Sequence, residues 1–206
     1  MKLTLPRVLL VLAALLAAVA GFYLARQIDR TSPQLASGTW FPQDWQVGDF
    51  TLIDSAGRAF TARDLKGAPA LVFFGFTRCP DVCPTTLLQL AQVRREAGLA
   101  NLRVVFVSID PQRDTPAVLD RYVHAFDPAF IGLTGEPAAV TALARHLNVA
   151  VNRVELPGGD YTMDHSAVVF LLNTEARVVA IFTPPFDTKL MAADLKNSAP
   201  FLKAKH

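Results

Sequence analysis

Cysteine is scarce in this 206-residue chain: Cys79 and Cys83 are the whole complement, which excludes a fold held together by a disulfide framework. A bridge between them would close a loop too small to restrain the unfolded chain much. An excess of one charge is missing too. Lys and Arg number 20 against 18 Asp and Glu, a formal net charge of +2, and that balance argues against an electrostatic nucleic-acid binder. Internal repeats and low-complexity tracts are absent, which removes solenoids and arrays from consideration.

One long apolar run is present. Residues 8–25 (VLLVLAALLAAVAGFYLA) carry no charge and have about the length that crosses a bilayer as one helix. A cleaved signal peptide is the competing reading, with Ala18-Val19-Ala20 as its small-residue site, but Phe22, Tyr23 and Leu24 carry the run past that point. Lys2 and Arg7 on one side balance Arg26 and Arg30 on the other, so charge orients the helix weakly. The short N-terminus is expected to stay inside, leaving the C-terminal part on the exported, periplasmic or equivalent, side. The expected organisation is a short segment 1–7, a transmembrane anchor 8–25, a linker 26–45 and one soluble domain 46–206, which is long enough for a proper core.

Within the domain, residues 50–53 and 58–61 flank a Gly57 turn and predict an N-terminal hairpin. Strand and helix patterns then alternate: strand 71–76, helix 84–98, strand 103–109, helix 116–126, strand 130–133 and helix 137–147. Thr115-Pro116 is a strong helix start, an N-cap hydroxyl followed by a proline in the first turn. Strands 167–172 and 177–182 and a closing helix 189–202 complete the chain. This order predicts an α/β, thioredoxin-like fold with a central mixed sheet flanked by helices.

The two cysteines stand where strand 71–76 hands over to a helix, in Cys79-Pro80-Asp81-Val82-Cys83-Pro84. At the opening turn of a helix, a spacing of four brings both sulfurs to one face, and the free amides there favour a thiolate. At least one of the two is therefore expected to ionise more readily than a free cysteine. A disulfide, a redox pair and a soft metal site all remain open on this reasoning. Two thiolates are too few for most ions, and His124, His146, His165 and His206 are the imidazoles available. His165 stands apart, because it lies in the polar stretch 160–166 that leads into strand 167–172. Cys, Cys and His together would favour copper over magnesium, calcium or manganese. Asp164 is a candidate to orient the imidazole, and Met163 is expected in the core or at its rim.

The stretch 74–87 (FGFTRCPDVCPTTL) resembles the signature of the SCO/SenC family of membrane-anchored, copper-binding, thioredoxin-like proteins. The stretches 107–116 (VSIDPQRDTP) and 161–166 (YTMDHS) are similar to further motifs of that family, in the same order. The resemblance implies a copper site, for Cu(I), Cu(II) or both, built from Cys79, Cys83 and His165. It implies a part in cytochrome c oxidase assembly, with the binuclear copper centre of subunit II or another copper-accepting protein as partner. Cys79 and Cys83 would then act as metal ligands or as a redox pair that keeps that centre reduced, itself restored by a thiol reductant protein. A thiol peroxidase is the remote alternative, in which Thr77 and the Cys83-Pro84-Thr85 stretch would bind a peroxide. Segment 110–116 is expected to be a rigid turn between strand and helix.

Overall fold

The computed structural model describes residues 5–29, 32–99 and 101–203, without the side chains of 5–8 and 25–29. His206 and the first four residues of the N-terminal segment lie outside them. The chain divides into two compact units, 1–33 and 34–206. The first holds α1 (Leu5–Asp29), whose described side chains from residue 9 to 24 are exposed. Among the described residues no helix is long and apolar enough to cross a membrane. The expected span over 8–25 is thus helical in conformation, but a bilayer crossing is not shown by the fold.

The second unit is built on β4 (Ala70–Gly75) and β5 (Arg103–Ser108), which run parallel in register from Ala70 opposite Arg103 to Gly75 opposite Ser108. Residues 70–74 of β4 and 104–107 of β5 are unbroken apolar runs because both faces of the strands are covered; all six residues of β4 are buried. The rings of Phe73, Phe74 and Phe106 are fully enclosed there. Around this pair lie β1 (Gly38–Gln46), β2 (Thr51–Asp54), β3 (Ala59–Thr61), β6 (Ile131–Thr134), β9 (Val169–Leu172) and β10 (Arg177–Phe182). The resulting eight-stranded mixed sheet has the order β1-β10-β9-β4-β5-β6-β2-β3. β4, β5 and β6 are parallel and the remaining pairings antiparallel, including the predicted β2–β3 hairpin.

The helices are α2 (Val82–Glu96), α3 (Pro116–His124), α4 (Pro137–His146) and α5 (Thr188–Ser198). α3 starts as the sequence predicts: the Thr115 side chain accepts from the Val118 amide, ahead of Pro116. The α/β, thioredoxin-like architecture with a mixed sheet and flanking helices is as expected.

Two stretches depart from expectation. Residues 38–45, read as tether, belong to β1, which pairs with β10 at the sheet edge on either side of an irregularity between Trp40 and Trp45. Pro42 sits inside that irregularity, where its missing amide costs no ladder bond. Residues 36 and 37 are also fixed, because their amides donate to the buried Asp194 carboxylate at 2.8 Å each. The second departure is a separate two-stranded ribbon, β7 (Val151–Glu155) with β8 (Tyr161–His165), in a stretch where no strand was expected.

Candidate functional site

β4 ends at Gly75, and the chain turns through Phe76-Thr77-Arg78 into Cys79, whose amide donates to the Phe76 carbonyl at 3.3 Å. α2 opens only at Val82. The two cysteines therefore do not share the first helical turn, as their spacing suggests they should: Cys83 is inside the helix and Cys79 precedes it. The N-cap residue, Asp81, makes no side-chain cap bond. Instead the Cys83 amide donates to Cys79 Sγ at 3.4 Å, so a sulfur takes one of the free amides at the helix start. Both thiols are free.

Cys83 is fully buried. Burial pushes its thiol well above the usual cysteine range, with the nearby Cys79 and Asp114 adding to the effect against a lowering contribution from the Phe76 backbone. For Cys83 the expectation of easy ionisation is reversed, because loss of water outweighs the helix terminus. Its seat depends on Gly75: a Cβ at that position would come within 2.9 Å of Cys83 Sγ and 2.7 Å of the Phe106 ring. Pro80, Asp81 and Val82 are exposed and form the open rim of the site.

His165 closes the ribbon strand β8 and reaches the same place from 82 residues away. Its Nε2 lies 3.7 Å from Cys83 Sγ. Its Nδ1 lies 3.1 Å from the Ser166 carbonyl, an acceptor, so Nδ1 carries the hydrogen and Nε2 keeps its lone pair toward the sulfur. The ring stands edge-on to Phe73 and Phe76, with centroids 6.0 and 6.2 Å away. Burial pushes its pKa below the usual imidazole value, opposed by the Ser166 carbonyl and the Asp164 charge. An ion held by one imidazole and one thiolate, at bond lengths of about 2.0–2.3 Å, would space those two atoms roughly 3.6–3.8 Å apart. The sulfur and nitrogen fit that requirement. Among the described residues no group of three or more His, Cys, Asp or Glu side chains is already gathered for a metal; Cys79 Sγ accepts from the Cys83 amide.

Other expectations resolve differently. Asp164 is exposed and sits on the opposite face of β8 from Met163 and His165, and the imidazole's second nitrogen goes to Ser166 rather than to Asp164. Its assignment as the orienting group is therefore corrected. Met163 packs on the core, as expected. His124 pairs with Asp120 at 3.2 Å and His146 Nε2 lies 3.0 Å from the Gln46 carbonyl, so both are engaged elsewhere. Thr77, a candidate peroxide donor, is committed to a buried carboxylate: its hydroxyl donates to Asp114 at 2.6 Å and its amide at 3.0 Å. That takes Thr77 away from the donors a peroxidase reading needs.

Sequence reasoning took segment 110–116 as a turn and passed over Tyr161. The structure places Asp110, Arg113 and Tyr161 in one cluster beside the ribbon. Tyr161 OH donates to Asp110 Oδ1 at 2.7 Å, and the Arg113 guanidinium pairs with the same Asp110 carboxylate. The available signal was the charge pattern Asp-x-x-Arg-Asp between a strand and a helix.

Comparison with known proteins gives consistent likenesses. The SCO1/SenC family pattern matches residues 42–199. The chain is 37% identical over 139 residues to protein SCO1 homolog 1, mitochondrial, of Arabidopsis thaliana, covering 66% of this chain and 41% of that protein. With the human protein SCO2 homolog, mitochondrial, it shares 34% over 189 residues, covering 88% of this chain and 70% of the relative. Among solved structures it resembles copper-bound ScoI of Bradyrhizobium japonicum, with a TM-score of 0.67 and 42% identity over 72% of this chain and 96% of that one. Copper-bound yeast Sco1 gives a TM-score of 0.69 and 31% identity, over 76% and 89%.

Proposed function

The chain belongs to the SCO1/SenC family, and from that premise we propose that it is a copper carrier which takes its cargo on Cys79, Cys83 and His165. The observation that carries this reading is the unprotonated Nε2 of His165 facing Cys83 Sγ at 3.7 Å, from a distant part of the chain. Likeness to the copper-bound ScoI and Sco1 structures supports it. Thiolates suit Cu(I) and imidazole suits Cu(II), so this donor set accommodates either state. The open rim at 80–82 gives an acceptor's ligands a way in, and cargo passes by ligand exchange. The proposed recipient is the binuclear copper centre of cytochrome c oxidase subunit II, or another copper-accepting protein.

The test is metal analysis and spectroscopy of the protein purified without oxygen. It should carry copper and, with Cu(II), show a sulfur-to-copper charge-transfer band that disappears in His165→Ala. A copper-free protein that also fails to take up added copper would sink the proposal.

A second reading has its own observation. Cys79 is the more accessible sulfur and receives the Cys83 amide, the arrangement of an attacking thiol with a buried partner behind it. As a thiol–disulfide reductase, the Cys79 thiolate would attack a partner disulfide and form a mixed disulfide, releasing one partner thiolate. Cys83 would then attack Cys79 and release the other. The partner gains two electrons and two protons, and a thiol reductant protein must return them.

The apolar segment 8–25 is proposed as the membrane anchor, holding the domain on the exported face. Washing membranes with alkaline carbonate should leave the protein in the pellet; its release into the wash would rule the anchor out.

A further inference from the structure

The site is assembled from two pieces that share no backbone ladder. The cysteines follow β4 of the main sheet, whereas His165 ends a ribbon whose strands pair only with each other. Something must hold the ribbon in register with the cysteine turn, and segment 108–115 contacts both. At one end, Asp114 is fully buried and accepts three bonds: from the Thr77 amide, the Thr77 hydroxyl and the Ser108 hydroxyl, the last at 2.6 Å. Thr77 lies two residues before Cys79, so this carboxylate fixes the turn that delivers the first sulfur.

At the other end, Asp110 holds Arg113 and the Tyr161 hydroxyl. Arg113 Nη1 donates to the Tyr161 carbonyl at 2.9 Å and to Asp160 at 3.1 Å. Its guanidinium carbon lies 3.6 Å from the centroid of the Tyr161 ring, as does that of Arg153. Tyr161 and His165 share one face of β8, four residues apart. Fixing Tyr161 by ring, hydroxyl and carbonyl therefore fixes the line along which His165 points.

We propose that segment 108–115 is a two-ended bracket: Asp114 sets the cysteine turn, Asp110 and Arg113 set the ribbon, and together they impose the sulfur-to-imidazole separation. Asp110, Arg113, Asp114 and Tyr161 are positioning residues. The proposal rests on the carrier reading for its purpose, but the copper-free protein reports on it directly. A planar guanidinium that stacks and forks cannot be replaced by an ammonium at such a place.

The test compares full-length, copper-free wild type with Arg113→Ala, Arg113→Lys and Tyr161→Phe. In Arg113→Ala, amides of β7 and β8 should exchange hydrogen roughly tenfold faster or more, while those of β4, β5 and β9 keep their rates. Site-resolved carbethoxylation of His165 by diethyl pyrocarbonate should rise in parallel, and lysine should restore neither. Adding Cu(II) should then give a complex with weakened imidazole-nitrogen coupling in its electron paramagnetic resonance spectrum. If Arg113→Ala does not fold, Tyr161→Phe, which removes one hydroxyl, should show the same changes at roughly threefold. Unchanged ribbon exchange, or full restoration by lysine, overturns the bracket. Wild type that binds no copper would instead overturn the carrier reading, and the exchange rates would still judge the bracket.

Discussion

Replacing Cys83 by serine should lower the affinity for Cu(I) roughly a thousandfold or more, beyond the ~10–100-fold that losing an outer partner of a metal ligand costs. Serine keeps the shape but substitutes a hard oxygen for one of two soft sulfurs. Cys79→Ser should come close to it. His165→Ala should cost less for Cu(I), which two thiolates can hold, and far more for Cu(II), which needs the imidazole. Competition against a Cu(I) chelator of known affinity reads the first pair, and direct Cu(II) titration reads the third. Cys83 is enclosed in the core, so a hydroxyl there costs about 1–3 kcal/mol of stability. Circular dichroism and a melting curve must accompany each titration. Unchanged affinity in all three folded variants would end the case for this site.

The second large effect is on pH. In the copper-free protein Cys83 is held as a thiol, since burial raises its pKa. Copper binds the thiolate, so binding must expel that proton, and affinity should fall about tenfold for each unit of acidification. Between pH 8 and 6 the loss is about a hundredfold from this one group. His165 behaves in the opposite sense: its lowered pKa keeps it neutral through that range, so it adds no proton competition until the pH drops below the usual imidazole value. The slope should steepen only there. The same shift makes the copper-free fold lose stability as the pH falls through that lower region, because the unfolded chain takes up the imidazole proton first. Chelator competition at a series of pH values checks the slope. An affinity indifferent to pH would contradict a buried thiol as ligand.

The parts of this fold legible in the sequence were those whose signals are local. β4 and β5 are built on continuous apolar runs, 70–74 and 104–107, the β2–β3 hairpin carries a glycine turn, and α3 announces itself with Thr115-Pro116. The ribbon was not legible. Val151–Glu155 is mostly exposed, with no buried face to give it a period, and the ribbon is tied to the rest of the domain by bonds between its Tyr161 and the residues Asp110 and Arg113. β1 was hidden for a related reason, since Pro42 and polar residues break its alternation while β10 supplies the pairing. At the site, the residue types and their loops could be read, but not their surroundings. Nothing local to Cys83 says that its side chain turns inward, or that Asp164 points away from the imidazole it precedes.

That inward turn is decided by a neighbour with no side chain. Gly75 leaves the hollow into which Cys83 Sγ settles, and the space it vacates is less than one methyl group deep. The sulfur's height above the protein floor is thus set by strand β4 and not by the helix that bears the cysteine. An alanine at 75 would press on the Phe106 ring at 2.7 Å and on that sulfur at 2.9 Å, so the recess could survive only if one of them gave way.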